Sequence, residues 1–253
     1  MLLEKAFSDF VVPKKSVYSY DDIKDNNTLL TEEGITARLH NNYLKSEEEK
    51  DTWAKKSINA SDLTGCIKKL YFKLRGVSYS DTPTYPYSNI IFGIGNVIHK
   101  ELVEAIKPEE SEVSFKSYIL GFELNMRCDA ICYGKVLHEY KTVDSIDKDT
   151  EVKKEHLLQA SIYAYLLNKC HYRNIQYIQV IYVSRGKLGV KVFNIEFNDK
   201  IYDKVEKRLY AQLRYLKDCL DNKKIPSFEN EFCSKTDCKF CEYATFCKTL
   251  NCS

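Results

Sequence analysis

Arg127-Cys128-Asp129-Ala130-Ile131-Cys132-Tyr133-Gly134-Lys135-Val136-Leu137-His138-Glu139-Tyr140-Lys141 is the stretch that decides how this chain folds. Apolar and polar residues alternate on both sides of Gly134, the pattern of two strands joined by a tight Gly134-Lys135 turn. Successive side chains of a strand leave opposite faces, so Glu139 and Lys141 share one face while His138 and Tyr140 share the other. Folding at the turn lets Asp129 meet Glu139 across the strand pair. Two carboxylates beside a lysine suit Mg2+ or Mn2+, hard cations that take oxygen ligands and keep part of their water shell. A cation held there polarises a phosphate oxygen and acidifies a bound water, and Lys141 would hold that water or offset charge on the phosphoryl group. The bland alternative is a solvated carboxylate–lysine face, and D-x9-E-x-K alone does not decide between the two.

Strand-like alternation extends over 111–118, 121–133 and 136–142. A helix over 89–106, ended by Pro108, precedes these strands, and a loop over 77–88 with three tyrosines and two prolines precedes the helix. Before the loop, Ser61 or Asp62 caps a helix that runs through Cys66 to about Leu74 and stops at Gly76. Downstream come a helix over 152–168, strand-like runs over 175–184 and 188–197, and an amphipathic helix over about 198–221. This order predicts an α/β fold with a mixed central sheet flanked by helices. The expected division is a helical N-terminal extension over 1–58, a core over 59–231, and a cysteine-rich tail over 232–253 that packs back on the helix of Cys66.

A chain of 253 residues with 44% hydrophobic and 29% charged residues can bury a full core. Its net charge of +2 does not by itself mark a nucleic-acid binder. Charge is concentrated locally, however, at Lys68, Lys69, Lys73 and Arg75, with Tyr71 and Phe72 between them. Cations for phosphates and aromatic rings for bases suit single-stranded DNA; the competing reading makes Leu70, Phe72 and Leu74 core and the lysines solvating. No apolar run reaches the roughly 18 residues of a membrane span. The first ten residues, with Glu4 among them, lack the pattern of a secretory leader. Ten cysteines then fit a cytoplasmic protein that uses some thiols for metal and not for disulfides.

Cys66 stands alone, and Cys238, Cys241 and Cys247 form a C-x2-C-x5-C run. Four thiolates can hold Zn2+ or an iron–sulfur cluster. Cys66 precedes Cys238 by 172 positions (238 minus 66), a spacing that fits neither a zinc finger nor a zinc ribbon. Cys233 is the alternative to Cys238 as a ligand. Cys128 and Cys132 share one strand face opposite Asp129 and read as core.

The joint order Gly95-x3-His99, Asp129, Glu139-x-Lys141, Gln159-x3-Tyr163 resembles the PD-(D/E)XK nucleases of the RecB type. Ser61-Asp62-Leu63-Thr64-Gly65-Cys66-Ile67-Lys68-Lys69-Leu70-Tyr71-Phe72, followed by Arg75-Gly76, resembles the opening motif of one branch, the CRISPR-associated Cas-four exonucleases and related iron–sulfur nucleases. The resemblance spans about 57–247. It implies a restriction-endonuclease-like core with a helical subdomain stapled by iron–sulfur. It implies that His99, Asp129, Glu139 and the backbone carbonyl of Tyr140 bind Mn2+ or Mg2+, that Lys141 is catalytic, and that Gln159 and Tyr163 position the DNA or the lysine. It further implies that Cys66, Cys238, Cys241 and Cys247 hold a [4Fe–4S] cluster, favoured over zinc. The implied activity is a metal-dependent exonuclease, with some endonuclease action, that prefers single-stranded DNA cut from the 5′ end. The implied setting is CRISPR spacer acquisition at DNA ends beside integrase subunits; the same chemistry serves recombination, repair or viral DNA processing. A reading of another class, a non-catalytic iron–sulfur or zinc DNA-binding module, is opposed by the complete Asp129, Glu139 and Lys141 set.

Overall fold

The computed structural model describes residues 57–77, 88–147, 150–186, 189–227, 229–233, 238 and 241–249. Apart from Ser57, Ile58, Val77 and Ser88, the expected extension over 1–58 and loop over 77–88 lie outside the described residues. A six-stranded mixed sheet occupies the middle of the fold. Its strands are β1 (Ile58–Asn59), β2 (Glu110–Ile119), β3 (Phe122–Cys132), β4 (Val136–Val143), β5 (Tyr177–Ser184) and β6 (Val190–Glu196). The order is β1-β3-β4-β5-β6, with β2 also paired to β3. β1 runs parallel to β3 and β4 parallel to β5; the other pairings are antiparallel.

The registers contain the feature that makes the site. At Leu124 and Asn125, β3 pairs with both β1 and β2; at Ala130 and Ile131 it pairs with both β2 and β4. A strand has two edges, so β1 and β4 share one edge of β3 at different heights. Between them, residues 126–129 have no strand partner on that edge among the described residues, which leaves a notch in the sheet. The hairpin that aligns β3 with β4 turns at Tyr133 and Gly134, with φ of 54° and 60°. Lys135 N–H donates to the Cys132 carbonyl at 3.1 Å. Two central residues at positive φ make the primed turn whose twist matches the strands. The turn is therefore centred one residue earlier than the sequence suggested, and Gly134 meets the positive-φ demand without a Cβ penalty.

Helices cover both faces. α4 (Lys154–His171) is the crossover between the parallel strands β4 and β5, and α5 (Asp199–Asp221) packs beside it. Leu137, Ile178, Val180 and Tyr182 of the sheet, Ala160, Ala164 and Leu167 of α4, and Leu209, Leu213 and Leu216 of α5 join in the main core. On the opposite face, Leu102, Val103 and Ile106 of α3 (Ser88–Ile106) cover a smaller cluster of Ala130, Tyr140 and Ile181. β3 changes phase between these two cores. Leu124, Met126, Cys128 and Ile131 enter the main core, but Ala130 enters the smaller one. Cys128 and Ile131 are an odd number of residues apart, so the alternation slips by one around Asp129. Across the ladder, Glu112 takes φ 51° and drops out of the β2 register. Cys128 and Cys132 are both buried, but the slip puts them on opposite faces: Cys132 Sγ lies 3.9 Å from His138 Nδ1, on the side of Tyr140.

The single helix expected through Cys66 is two helices, α1 (Ala60–Thr64) and α2 (Ile67–Leu74). Gly65 and Cys66 are extended between them, and Cys66 is the N-cap of α2. The start is also earlier than Ser61 or Asp62: Asn59 caps α1, and the Asp62 carboxylate accepts the Asn59 N–H at 2.8 Å. The short C-terminal helix α6 (Ala244–Thr249) lies against α2, with Phe72 at 5.5 Å from Tyr243 and 5.0 Å from Phe246 between ring centres. Among the described residues no helix is long and apolar enough to cross a membrane.

Candidate active site in the sheet notch

One step beyond the Ala130–His138 pair, the β3–β4 register would set Asp129 opposite Glu139, but the ladder stops there. Tyr140 N–H instead donates to Asp129 Oδ2 at 2.6 Å. In an extended strand a residue's N–H and C=O leave on the same side, so the Tyr140 carbonyl is directed toward the notch as well. His99 of α3 brings Nδ1 within 3.8 Å of Asp129 Oδ1, and its ring meets the Tyr140 ring edge-on at 5.7 Å. Glu139 is 2% exposed; Oε1 is 2.6 Å from Lys141 Nζ, and Oε2 is buried with no hydrogen-bond partner. Lys141 Nζ also donates to Gln159 Oε1 at 3.2 Å, and Gln159 Nε2 donates to the Tyr163 hydroxyl at 3.0 Å.

These groups line one cleft of about 780 Å3, so the structure brings His99, Asp129, Glu139, Lys141, Gln159 and Tyr163 together. Asn59, Ala60 and Ser61 form its β1–α1 wall. Asn96, Lys100, Asn125 and Arg127 also line it and were not picked out from the sequence. The signal for Asn125 and Arg127 was their two-residue spacing ahead of Asp129. At the rim Arg127 pairs with Glu112 at 3.0 Å. The N-terminus of α4, which carries Gln159, is held by Tyr182: its hydroxyl accepts Lys153 N–H at 2.9 Å and lies 2.8 Å from His156 Nδ1. Burial, aided by the nearby Lys141 charge, pushes His156 down to about 4.

Burial and the neighbouring Asp129 charge push Glu139 up to about 7, against the pull of Lys141. Burial also raises Asp129, opposed by the Tyr140 N–H and by His99. Two carboxyls that resist ionisation side by side are the electrostatic signature of a site that lacks positive charge. A divalent cation would reverse both shifts, and the unpartnered Glu139 Oε2 is an available ligand atom, so the chemistry of the donor set suits such a cation, although among the described residues no three His, Cys, Asp or Glu side chains, those of His99, Asp129 and Glu139 included, converge closely enough to hold a metal ion. The close cation–carboxylate contact at Lys141 supplies only part of that charge.

The second candidate centre is at the tail. Burial pushes the Cys247 thiol up to about 11; Lys68 opposes the rise, and Cys241, Cys66 and Cys238 add to it. This all-thiol donor set suits a soft metal centre. Here too, no three of the described His, Cys, Asp or Glu side chains converge closely enough to hold a metal ion. Cys233 Sγ stands 3.3 Å from Cys66 Sγ. The four basic residues expected as one patch are dispersed. Lys68 is buried at 2% exposure toward the cysteines, Lys69 pairs with Glu242 at 2.9 Å, Lys73 pairs with Asp62 at 2.7 Å, and Arg75 is exposed.

No protein-family model matches the sequence, and no curated protein does. Solved structures do resemble the fold. SSO0001 aligns over 84% of this chain and 95% of its own, at 18% identity and TM-score 0.56. LHK-Exo, an alkaline exonuclease of Laribacter hongkongensis seen in complex with dAMP, aligns over 70% and 95%, at 15% identity and TM-score 0.48. A phage-related exonuclease of Haemophilus somnus aligns over 69% and 99%, at 12% identity and TM-score 0.44. At these identities the likeness is one of architecture, and it identifies the chain as a mixed α/β protein with the fold of SSO0001.

Proposed function

We propose that this chain is a DNA nuclease that hydrolyses phosphodiester bonds in the notch between β1 and β4, using Mn2+ or Mg2+. The observation that carries the reading is the buried, unpartnered Oε2 of Glu139, set beside Asp129 and Lys141 in one cleft. Asp129, Glu139, His99 and the Tyr140 carbonyl would hold the cation. When bound, it would polarise the scissile phosphate and acidify a water. Lys141 has three N–H donors; one faces Glu139 and one Gln159, which leaves the third for the attacking water or a phosphoryl oxygen. Gln159, braced by Tyr163, fixes the reach of that lysine, and a fixed donor costs little reorganisation during reaction. Lys100 supplies positive charge at the cleft for the flanking phosphates, beside an Arg127 that is paired with Glu112.

The finer reading is an exonuclease of the Cas-four type that acts in the cytoplasm on single-stranded ends from the 5′ side, beside integrase subunits during CRISPR spacer acquisition. Cys66, Cys238, Cys241 and Cys247 would hold a [4Fe–4S] cluster that clasps the tail to α2. The sequence motifs support this reading. The test is purified protein with Mn2+ and end-labelled single-stranded or duplex DNA. Metal-dependent degradation that is lost in Lys141→Ala supports the proposal; equal background in both proteins refutes it. Labels at the 5′ and 3′ ends report polarity.

A further inference from the structure

We propose that Cys66 and Cys233 are a redox-active thiol pair that closes to a disulfide when the cysteine centre carries no metal and a disulfide-class oxidant is present. The inference rests on the proposed metal centre only in giving Cys66 a second use. Their sulfurs are 3.3 Å apart, and a disulfide bond is about 2.05 Å, so closure needs a shift of only about 1.3 Å.

A backbone hydrogen bond beside the two cysteines joins their segments. Ile67 N–H, next to Cys66, donates to the Phe232 carbonyl, next to Cys233, at 2.9 Å. Phe232 N–H is held by Asn230 Oδ1 at 2.9 Å and Cys233 N–H by the Asn230 carbonyl at 2.9 Å. The Arg208 guanidinium lies over the Phe232 ring at 5.2 Å. The backbone of both segments is thus held, and the two sulfurs meet across a sequence separation of 167 residues. Cys66 is buried, but Cys233 is partly exposed, which gives an oxidant a way in.

The arithmetic of ligands points the same way. The candidate centre has five cysteines to draw on, Cys66 and, in the tail, Cys233, Cys238, Cys241 and Cys247, and a four-thiolate centre uses four. The C-x2-C-x5-C run starts at Cys238, so Cys233 is the surplus thiol, and it touches the one ligand that comes from the far end of the chain.

With oxidised glutathione the reaction balances as follows. One cysteine thiolate attacks the glutathione disulfide and forms a mixed disulfide, expelling one glutathione thiolate. The second cysteine thiolate attacks the protein sulfur of that mixed disulfide and expels the other. Two cysteines are oxidised, one glutathione disulfide is reduced to two thiols, and the two cysteine protons go to them. The product keeps α2 tied to the tail, and with it α1 and the cleft wall, while it withholds Cys66 from metal until a reductant reopens the bond.

The test uses the full chain, isolated without oxygen and stripped of metal with a chelator. It is treated with oxidised glutathione and mapped by mass spectrometry without reduction. The expected result is loss of two hydrogens and one cross-linked peptide pair, Cys66 with Cys233, reversed by thiol reductant. Metal-loaded protein should cross-link about tenfold more slowly, because its Cys66 thiolate is engaged. Cys233→Ser should show no such cross-link and should keep its bound iron or zinc per chain. A cross-link confined to Cys238 and Cys241, or none, overturns the proposal. Loss of metal in Cys233→Ser comparable to that in Cys241→Ser also overturns it, because Cys233 is then a ligand. None of these readouts involves DNA or Mn2+, so a failed nuclease reading and a failed thiol pair are distinguishable.

Discussion

Replacing Glu139 by Gln separates a buried acid that needs a cation from one that merely fills space. Glu139 is 2% exposed and is pushed from an ordinary 4.5 to about 7, mostly by burial and then by Asp129. At about 1.4 kcal/mol per tenfold change in proton affinity, this corresponds to about 3 kcal/mol. The folded protein binds this proton more tightly than the unfolded chain does. The contribution to stability is therefore full below about 4.5 and is lost as pH rises through about 7. Gln stays neutral, so metal-free Glu139→Gln should lie within about 1 kcal/mol of wild type at pH 5 and exceed it by about 3 kcal/mol at pH 8. For a domain of this size that is on the order of 6–12 °C in Tm. Asp129, raised in the same direction, leaves a residual slope of the same sign in both proteins. The assay is thermal unfolding from pH 5 to 8 in chelator, repeated with Mn2+. Mn2+ should raise the wild-type Tm at pH 8 and leave the variant unmoved. Parallel Tm–pH curves for the two proteins, or equal Mn2+ shifts, would refute the reasoning.

Lys141→Ala should lower single-turnover cleavage of single-stranded DNA by about 10²–10³, the loss typical of one preorganised donor, with circular dichroism unchanged. Leu213→Ala, at a fully buried position of α5, should cost about 2–5 kcal/mol in urea unfolding. Asp62→Ala removes the acceptor of both the Asn59 N–H and Lys73, and should cost about 1–3 kcal/mol in the same measurement. Cys247→Ser should strip iron from protein purified without oxygen, read by metal analysis and by loss of brown colour.

The catalytic geometry was legible because it is local. Glu139 and Lys141 share a strand face by the period of two, Gln159 and Tyr163 share a helix face by the spacing of four, and Gly134 marks the hairpin that joins Asp129 to them. The misses come from contacts that local periods do not encode. β1 is two residues long, too short to show an alternation, yet it bounds the notch. The phase slip at Asp129 is set by the mismatch between two cores, and a run as apolar as Cys128–Cys132 reads the same with or without it. Lys68 looked like a neighbour of Lys69 on an open helix; the tail, docking from far along the chain, buries it. The break at Gly65 was missed because a helix of two pieces and a helix of one have nearly the same composition, and only the cap at Cys66 distinguishes them.

The bond that aims Asp129 comes from the main chain, at Tyr140 N–H. Every amino acid but proline carries that donor, so the side chain at position 140 matters only through its ring, its hydroxyl beside His138 and its fit under α3. Substitution scans there will report packing and stay silent about orientation. The aim of the carboxylate is inherited through the hairpin's shape, and a chemist would have to exchange the amide for an ester to feel its loss. Position 140 can therefore drift in identity while the cleft keeps its bearing, provided β4 holds its course.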